Sequence, residues 1–248
     1  MQRTELMAWL NQELAVDMFK DYAPNGLQLQ GRGEIKHITC AVTASLAAIE
    51  AAVANGSDLL LVHHGWFWKS EPMVITDWKF KRIETAMTAG LNIAGFHLPL
   101  DAHPVVGNNA QLAQVLGLEM QRQFGHQNLL AGGVLPASVS LQSFAEHIEG
   151  QLQRKPTVIG RPVKDIKRVA WCTGGAQGYF QDAIDAGVDA YITGEISEAQ
   201  FHLANETDVA FIAAGHHATE RYGVQALAKH IANTHGMGFQ FFDEQNPA

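Results

Sequence analysis

Three clusters of histidine and carboxylate, each behind an apolar run, are the residues of this chain best suited to chemistry. The first is Leu59-Leu60-Leu61-Val62-His63-His64-Gly65. Its four apolar residues read as a short buried strand that stops at the histidines. Neighbouring side chains on a strand face opposite sides, so both rings become useful only past its end, where Gly65 allows a sharp turn. There they would reach the crevice in which open α/β sheets bind ligands. Two neutral imidazoles suit a transition metal. Taken alone, the same run also reads as two polar residues on a loop.

The second cluster, Gly95-Phe96-His97-Leu98-Pro99-Leu100-Asp101-Ala102-His103, follows the strand-like Leu91-Asn92-Ile93-Ala94. The third, Gly215-His216-His217-Ala218-Thr219-Glu220, follows Val209-Ala210-Phe211-Ile212-Ala213. In each, a carboxylate comes four residues after a histidine: His97 with Asp101, and His216 with Glu220. If the third cluster opens a helix, His216 and Glu220 share one face of it. Leu98-Pro99-Leu100 reads as a loop instead. Half of the 12 histidines fall in these clusters, a bias that scattered surface histidines would not show.

The elements that must position them alternate between strand and helix, which indicates an α/β protein. The 248 residues suit one large domain or two small ones. An apolar fraction of 47% with no run long enough to span a bilayer indicates a soluble protein. The N-terminal stretch has helical periodicity and an early acid, unlike a secretory signal, so a cytoplasmic location is expected. A net charge of −8 argues against non-specific nucleic-acid binding. Cys40 and Cys172 lie in apolar strand-like stretches without a CxxC partner and read as core thiols.

The two halves look alike. In the first, Ile38-Thr39-Cys40-Ala41-Val42-Thr43 precedes a helix from about Leu46 to Ala54, then Gly56-Ser57-Asp58 and a strand ending at His63-His64. In the second, Arg168-Val169-Ala170-Trp171-Cys172-Thr173 precedes a helix from about Tyr179 to Ala186, then Gly187-Val188-Asp189 and a strand ending at Gly194-Glu195. A helix also leads each half, from Thr4 to Leu14 and from Ser140 to Leu152. The period is too long for a solenoid and indicates a duplicated domain. Glycines and Pro136 between Gln121 and Pro136 place the boundary near 125, giving repeats 1–125 and 126–248. Neither repeat holds a full ligand set, so the site is expected between them.

The HHG run, the H-x-x-x-D-A of His97 to Ala102, the late G-H-x-x-T-E and Asn25-Gly26-Leu27-Gln28 together resemble the Nif-three-like family. Its members are often named GTP cyclohydrolase type 2 homologues. The likeness covers essentially the whole chain, in order, and matches the short bacterial branch without an inserted domain. It implies two intertwined α/β domains, three-layered with mixed, mostly parallel sheets, and a homohexamer. It further implies a dinuclear site of two divalent transition-metal ions (Zn, Mn, Fe, Co or Ni). Its ligands would be His63, His64, Asp101, His216 and Glu220.

Such a site would leave open coordination positions, as catalytic centres do. Two ions can share a water and lower its pKa toward neutrality. The expected activity is hydrolysis of a small molecule such as a nucleotide or modified purine. A metal-binding scaffold or metallochaperone acting through a ring-shaped oligomer is the alternative. His97 would be catalytic, moving a proton, or would orient Asp101 from outside the shell. Thr173-Gly174-Gly175-Ala176-Gln177-Gly178 is either an anion-binding turn or a tight strand-to-helix connection. Trp66-Phe67-Trp68 could cover the metals, stack on a base or pack between domains. Glu195, at the repeat position of His64, could face the crevice or serve as a structural hydrogen-bonding residue. Asn25-Gly26 reads as a turn into the next strand.

Overall fold

The computed structural model describes residues 1–248 as two compact units. The first takes residues 1–107 and 223–245, the second 108–222 and 246–248. The first unit contains α1 (Arg3–Glu13), β1 (Gly26–Leu29), β2 (His37–Thr43), α2 (Leu46–Ala54), β3 (Leu59–His64), α3 (Asp77–Thr88), β4 (Asn92–Gly95) and α4 (Leu98–Ala102). In the second are α5 (Asn108–Leu116), β5 (Glu119–Phe124), β6 (Leu130–Ser140), α6 (Leu141–Leu152), β7 (Thr157–Ile159), β8 (Asp165–Trp171), α7 (Phe180–Asp185), β9 (Ala190–Thr193), α8 (Glu198–Glu206) and β10 (Ala210–Ala213). Helix α9 (His216–His235) begins in the second unit and continues in the first, where β11 (Gly238–Phe241) closes the chain's regular structure. No helix is long and apolar enough to cross a membrane.

The unit boundary therefore falls at 107, not near 125. The glycines taken for a linker lie beside or within β5 and β6, which pair with each other in the second sheet. A Cβ on Gly133 would collide with the Glu119 backbone, so that glycine serves close strand approach.

The duplication is visible in the sheets. The first has the order β1-β4-β3-β2-β11 and the second β5-β6-β8-β9-β10-β7. In each, the last of three successive parallel strands (β2, β3, β4; β8, β9, β10) pairs with an antiparallel edge strand, β1 or β7. The first sheet is mostly parallel, as expected. In the second, β5, β6 and β7 all join by antiparallel pairing, so antiparallel links outnumber parallel ones.

Asp58 and Asp189 make the same bonds in their two repeats. Each accepts two backbone N–H groups through one carboxylate oxygen, from Lys36 and His37 in one case and Lys167 and Arg168 in the other. Each also donates its own N–H back across the strand pair, to His37 or Arg168. The turn before them needs a left-handed residue, supplied by Gly56 (φ +66°) and Gly187 (φ +69°).

Strand alternation sends successive side chains to opposite faces. In the first unit Ile38, Cys40, Leu59, Leu61 and Ala94 meet α1 and the later part of α9. Leu60, Val62 and Ile93 meet α2 and α3. In the second unit Val169, Trp171, Ile192 and Ile212 pack with α5 and α6, while Tyr191 and Phe211 pack against Phe180 of α7. Both units are thus helix–sheet–helix sandwiches. Cys40 and Cys172 are buried and in no disulfide, and burial pushes the Cys40 thiol up to about 12, as befits a core thiol.

Candidate metal centre

In the first unit β3 runs through both histidines instead of stopping before them. Its neighbour β4 ends at Gly95, opposite Val62, so the final two residues of β3 lose that flank. The His63 and His64 rings approach to 4.5 Å between centroids. Gly65 is not the source of a left-handed turn, since its φ is not in that region. A Cβ there would run into the amide of Gln28. That amide accepts the Trp66 N–H at 2.6 Å and donates to the Pro24 carbonyl at 2.7 Å.

Asp101 lies on the short helix α4, which His97 immediately precedes, and not on a loop. Pro99 falls in its first turn, where a missing N–H costs nothing. The Leu100 and Asp101 N–H groups close onto the His97 carbonyl at 2.8 and 3.1 Å. Asp101 is thereby carried to His63, with Nε2 and Oδ1 3.5 Å apart. His63 Nδ1 lies 3.0 Å from the Phe96 carbonyl oxygen. A carbonyl only accepts, so Nδ1 carries the proton and Nε2 is the nitrogen left to ligate. His64 Nδ1 lies 3.3 Å from the Thr43 hydroxyl.

The His97 ring is engaged by Asp21 at 2.7 Å through Nδ1, a partner other than the expected Asp101. Asn25 Oδ1 accepts the His97 backbone N–H at 2.7 Å, and its amide donates to Asp21 at 2.8 Å. Asn25 is thus more than a turn residue. Burial would raise the Asp21 pKa, but the bond and charge of His97, with Asn25 and the Tyr22 N–H, hold it at about 2. One ring nitrogen from each of His63, His64 and His97 lies within 4.8 Å of the others.

Of the aromatic triplet, Trp66 is core, donating its indole N–H to the Ala44 carbonyl at 3.0 Å. Phe67 takes a left-handed φ of +65° under the Lys79 ammonium. Trp68 stands edge-on to His97 at 4.8 Å and to His64 at 5.7 Å. It walls the histidine cluster.

In the second unit His216 opens α9, and one turn later Glu220 brings Oε2 to 3.2 Å from its Nε2. The other ring nitrogen meets Glu195 Oε1 at 2.6 Å. Burial disfavours a charged ring, yet Glu220 and Glu195 outweigh it and push His216 up to about 9. Glu195 therefore serves a ligand candidate directly. In the glycine turn the N–H groups of Thr173, Gly174 and Ala176 are taken by Asn109, Thr219 and Thr193 side-chain oxygens. Its purpose is room. A Cβ on Gly174 would collide with the Glu220 carboxylate and stand 3.0 Å from His216 Nε2. His217, though buried, belongs to no potential ligand group.

These donors fit a divalent metal. Ligand atoms about 2.1 Å from a tetrahedral ion stand roughly 3.4 Å apart, close to the 3.5 Å and 3.2 Å of the two nitrogen–oxygen pairs. Glu195 and Glu220, on opposite nitrogens of His216, make this a place that favours positive charge. Asp21 escaped the sequence reading because it reaches His97 across 76 residues of chain. The only local signal was its position four residues before Asn25.

The chain is 59% identical over 246 residues to a Neisseria meningitidis protein called GTP cyclohydrolase 1 type 2 homolog, covering 99% of each. Among solved structures, one titled "protein ybgI, unknown function" matches at a TM-score of 0.96 and 44% identity, over the whole of both chains. TTHA1606 from Thermus thermophilus matches at 0.90 and 32%, again over both whole chains. Residues 1–247 match the Duf34/NIF3 (NGG1p interacting factor 3) family, and with full-length relatives of this likeness the chain is a member of it.

Proposed function

We propose that this protein is a metal-dependent hydrolase with a dinuclear centre, acting on a small molecule such as a nucleotide or modified purine. The observation that carries the reading is the pair of open nitrogen–carboxylate sets, His63 with Asp101 and His216 with Glu220, each at the spacing of two donors on one ion. In this reading His63, His64, Asp101, His216 and Glu220 together hold two divalent ions. Such ions supply Lewis acidity that brings a water's pKa toward neutrality and a field for a developing oxyanion.

The protein's own groups do the rest. The Phe96 carbonyl fixes the tautomer of His63, and Glu195 orients His216. Gly174 leaves room for the Glu220 carboxylate, and Trp68 stands against His97 and His64. The name shared by the relatives favours a purine nucleotide among possible substrates. A cytoplasmic homohexamer completes the reading, on resemblance to the family.

The test begins with metal. After loading with Zn, Mn, Fe or Co, elemental analysis should give two ions per chain, and fewer than about one counts heavily against the centre. Nucleotides, purines and phosphodiesters are then screened with each metal. Glu220→Ala should abolish turnover with the fold intact. Full metal content without turnover on any of these classes would favour the scaffold role. A stable monomer in light scattering would refute the hexamer.

A further inference from the structure

We propose that the open edge of β7 is a docking site for an extended peptide segment of a partner protein, which joins the six-stranded second sheet as one more strand. The segment presents apolar and basic residues toward α6 and acidic residues toward α8. The site shares no residue with the donors of the metal centre.

The backbone supplies the first argument. Strand β7 ends the second sheet and pairs with β10 alone. The main chain of Thr157, Val158 and Ile159 makes no hydrogen bond outside that ladder. Along a strand the N–H and C=O groups of successive residues point to alternate sides, so part of this edge is open to another chain. Pro156 and Pro162 bracket the open stretch, which confines pairing to a short segment.

Shape supplies the second. A cleft of about 490 Å³ runs along the edge beside α6. One wall is Gln142, Ala145, Glu146 and Glu149, all on one face of that helix; Val158 stands on the other. Seven residues of helix span roughly 10 Å, about the length of three extended residues, and β7 has three. A second cleft of about 260 Å³ lies between Arg161 and Lys164 on one side and Asn205, Thr207 and Asp208 on the other. Gly160 and Pro162 line both clefts.

The clefts belong to opposite faces of the sheet. Helix α6 covers the Ile212 face. Helices α7 and α8 are successive crossovers between parallel strands laid down in one direction, so both lie on the Phe211 face. An extended chain sends alternate side chains to opposite faces. Beside β7 it fills one cleft with its odd residues and the other with its even ones, the geometry of strand addition.

Charge selects the occupant. Glu146 and Glu149 are exposed along the larger cleft, with Lys155 also on its lining, which favours a lysine or arginine next to an apolar residue. In the smaller cleft Arg161 and Lys164 outnumber Asp208, which favours a carboxylate. A second copy joining β7 to β7 about a twofold axis sets α6 beside its twin and these glutamates against each other, a poorer fit.

The experiment is fluorescence anisotropy on the full chain. The probe is a labelled seven-residue peptide with valine and lysine alternating at its odd positions and glutamate at its even ones. Its control has lysine and glutamate exchanged. The probe should bind saturably and at least about tenfold more tightly than the control. Glu146→Lys with Glu149→Lys, on the exposed side of α6, should reverse that preference, with circular dichroism confirming the fold. Only one alternate set of peptide amides faces β7, so N-methylating that set should abolish binding and methylating the other should leave it. Should the variant fail to fold, the two methylated peptides on the unaltered protein decide the matter. An equal effect of the two sets, or no preference between probe and control, overturns the proposal. So does a lack of saturable binding below about 1 mM, including the case in which a second copy already holds the edge.

Discussion

His216 sits between two carboxylates, with Glu195 2.6 Å from Nδ1 and Glu220 3.2 Å from Nε2. In the metal-free protein a proton on this ring satisfies both, and the ring is pushed up to about 9. An unfolded histidine titrates near 6.5. The folded state holds the proton more tightly, so the stabilisation is complete below about pH 6.5 and drains as pH rises through 9. The interval corresponds to roughly 3 kcal/mol, an upper figure because the side chain is 27% exposed. The assay is urea unfolding of chelator-treated protein from pH 6 to 9.5, compared with His216→Gln. The stability gap should be largest at pH 6 and nearly closed at pH 9.5. Metal must displace the same proton, so affinity should climb about tenfold per pH unit up to 9. A gap that stays flat across this range would refute the reasoning.

Three further outcomes are expected. Gly174→Ala places a left-handed alanine (φ +70°) against Glu220; it should destabilise by at least about 1–2 kcal/mol and weaken metal binding, and unchanged urea midpoint and metal affinity would rule out the steric argument. Glu195→Gln should lower metal affinity roughly 10–100-fold by loosening His216, read by chelator competition, with wild-type affinity counting against the role of Glu195. Asp58→Ala and Asp189→Ala each remove an acceptor of two backbone N–H groups and should each cost about 1–3 kcal/mol. Their effects should add in the double variant, and strong non-additivity in denaturant titrations would argue against independent equivalent turns.

The parts legible in the sequence were those whose signals are local. Helix α2 lies where the alanine-rich run after Ser45 places it, capped by the Ser45 hydroxyl on the Ala48 N–H. Helix α6 follows Ser140 in the same way. The three histidine clusters stand at strand ends because apolar runs announce strands. The α4 helix was missed because a proline inside a short segment reads as a breaker, yet in a first turn it removes an N–H that would have no helical partner. The unit boundary was missed because glycines between close-packed strands look like a linker. The return of β11 to pair with β2 has no periodic signature, since its register is set by a strand some 200 residues away.

What the duplication explains about the site is subtler than two similar sheets. Counting from the equivalent aspartates, His64 and Glu195 occupy the same position, six residues on, at the ends of β3 and β9. In one repeat that position holds an imidazole 3.3 Å from the Thr43 hydroxyl, in a cluster of three. In the other it holds a carboxylate that grips the imidazole opening α9. The same position thus carries a candidate ligand in one repeat and the support of a candidate ligand in the other. The same split recurs around His97, whose Asp21 comes from the loop before β1 and not from a neighbouring strand end. Each unit thus has a half-buried histidine leaning on a carboxylate from another segment, Asp21 for His97 and Glu195 for His216. Spacing rules locate the histidines, because strand ends repeat. The six-residue spacing also flags Glu195, but no spacing flags Asp21, which only the folded chain brings to His97.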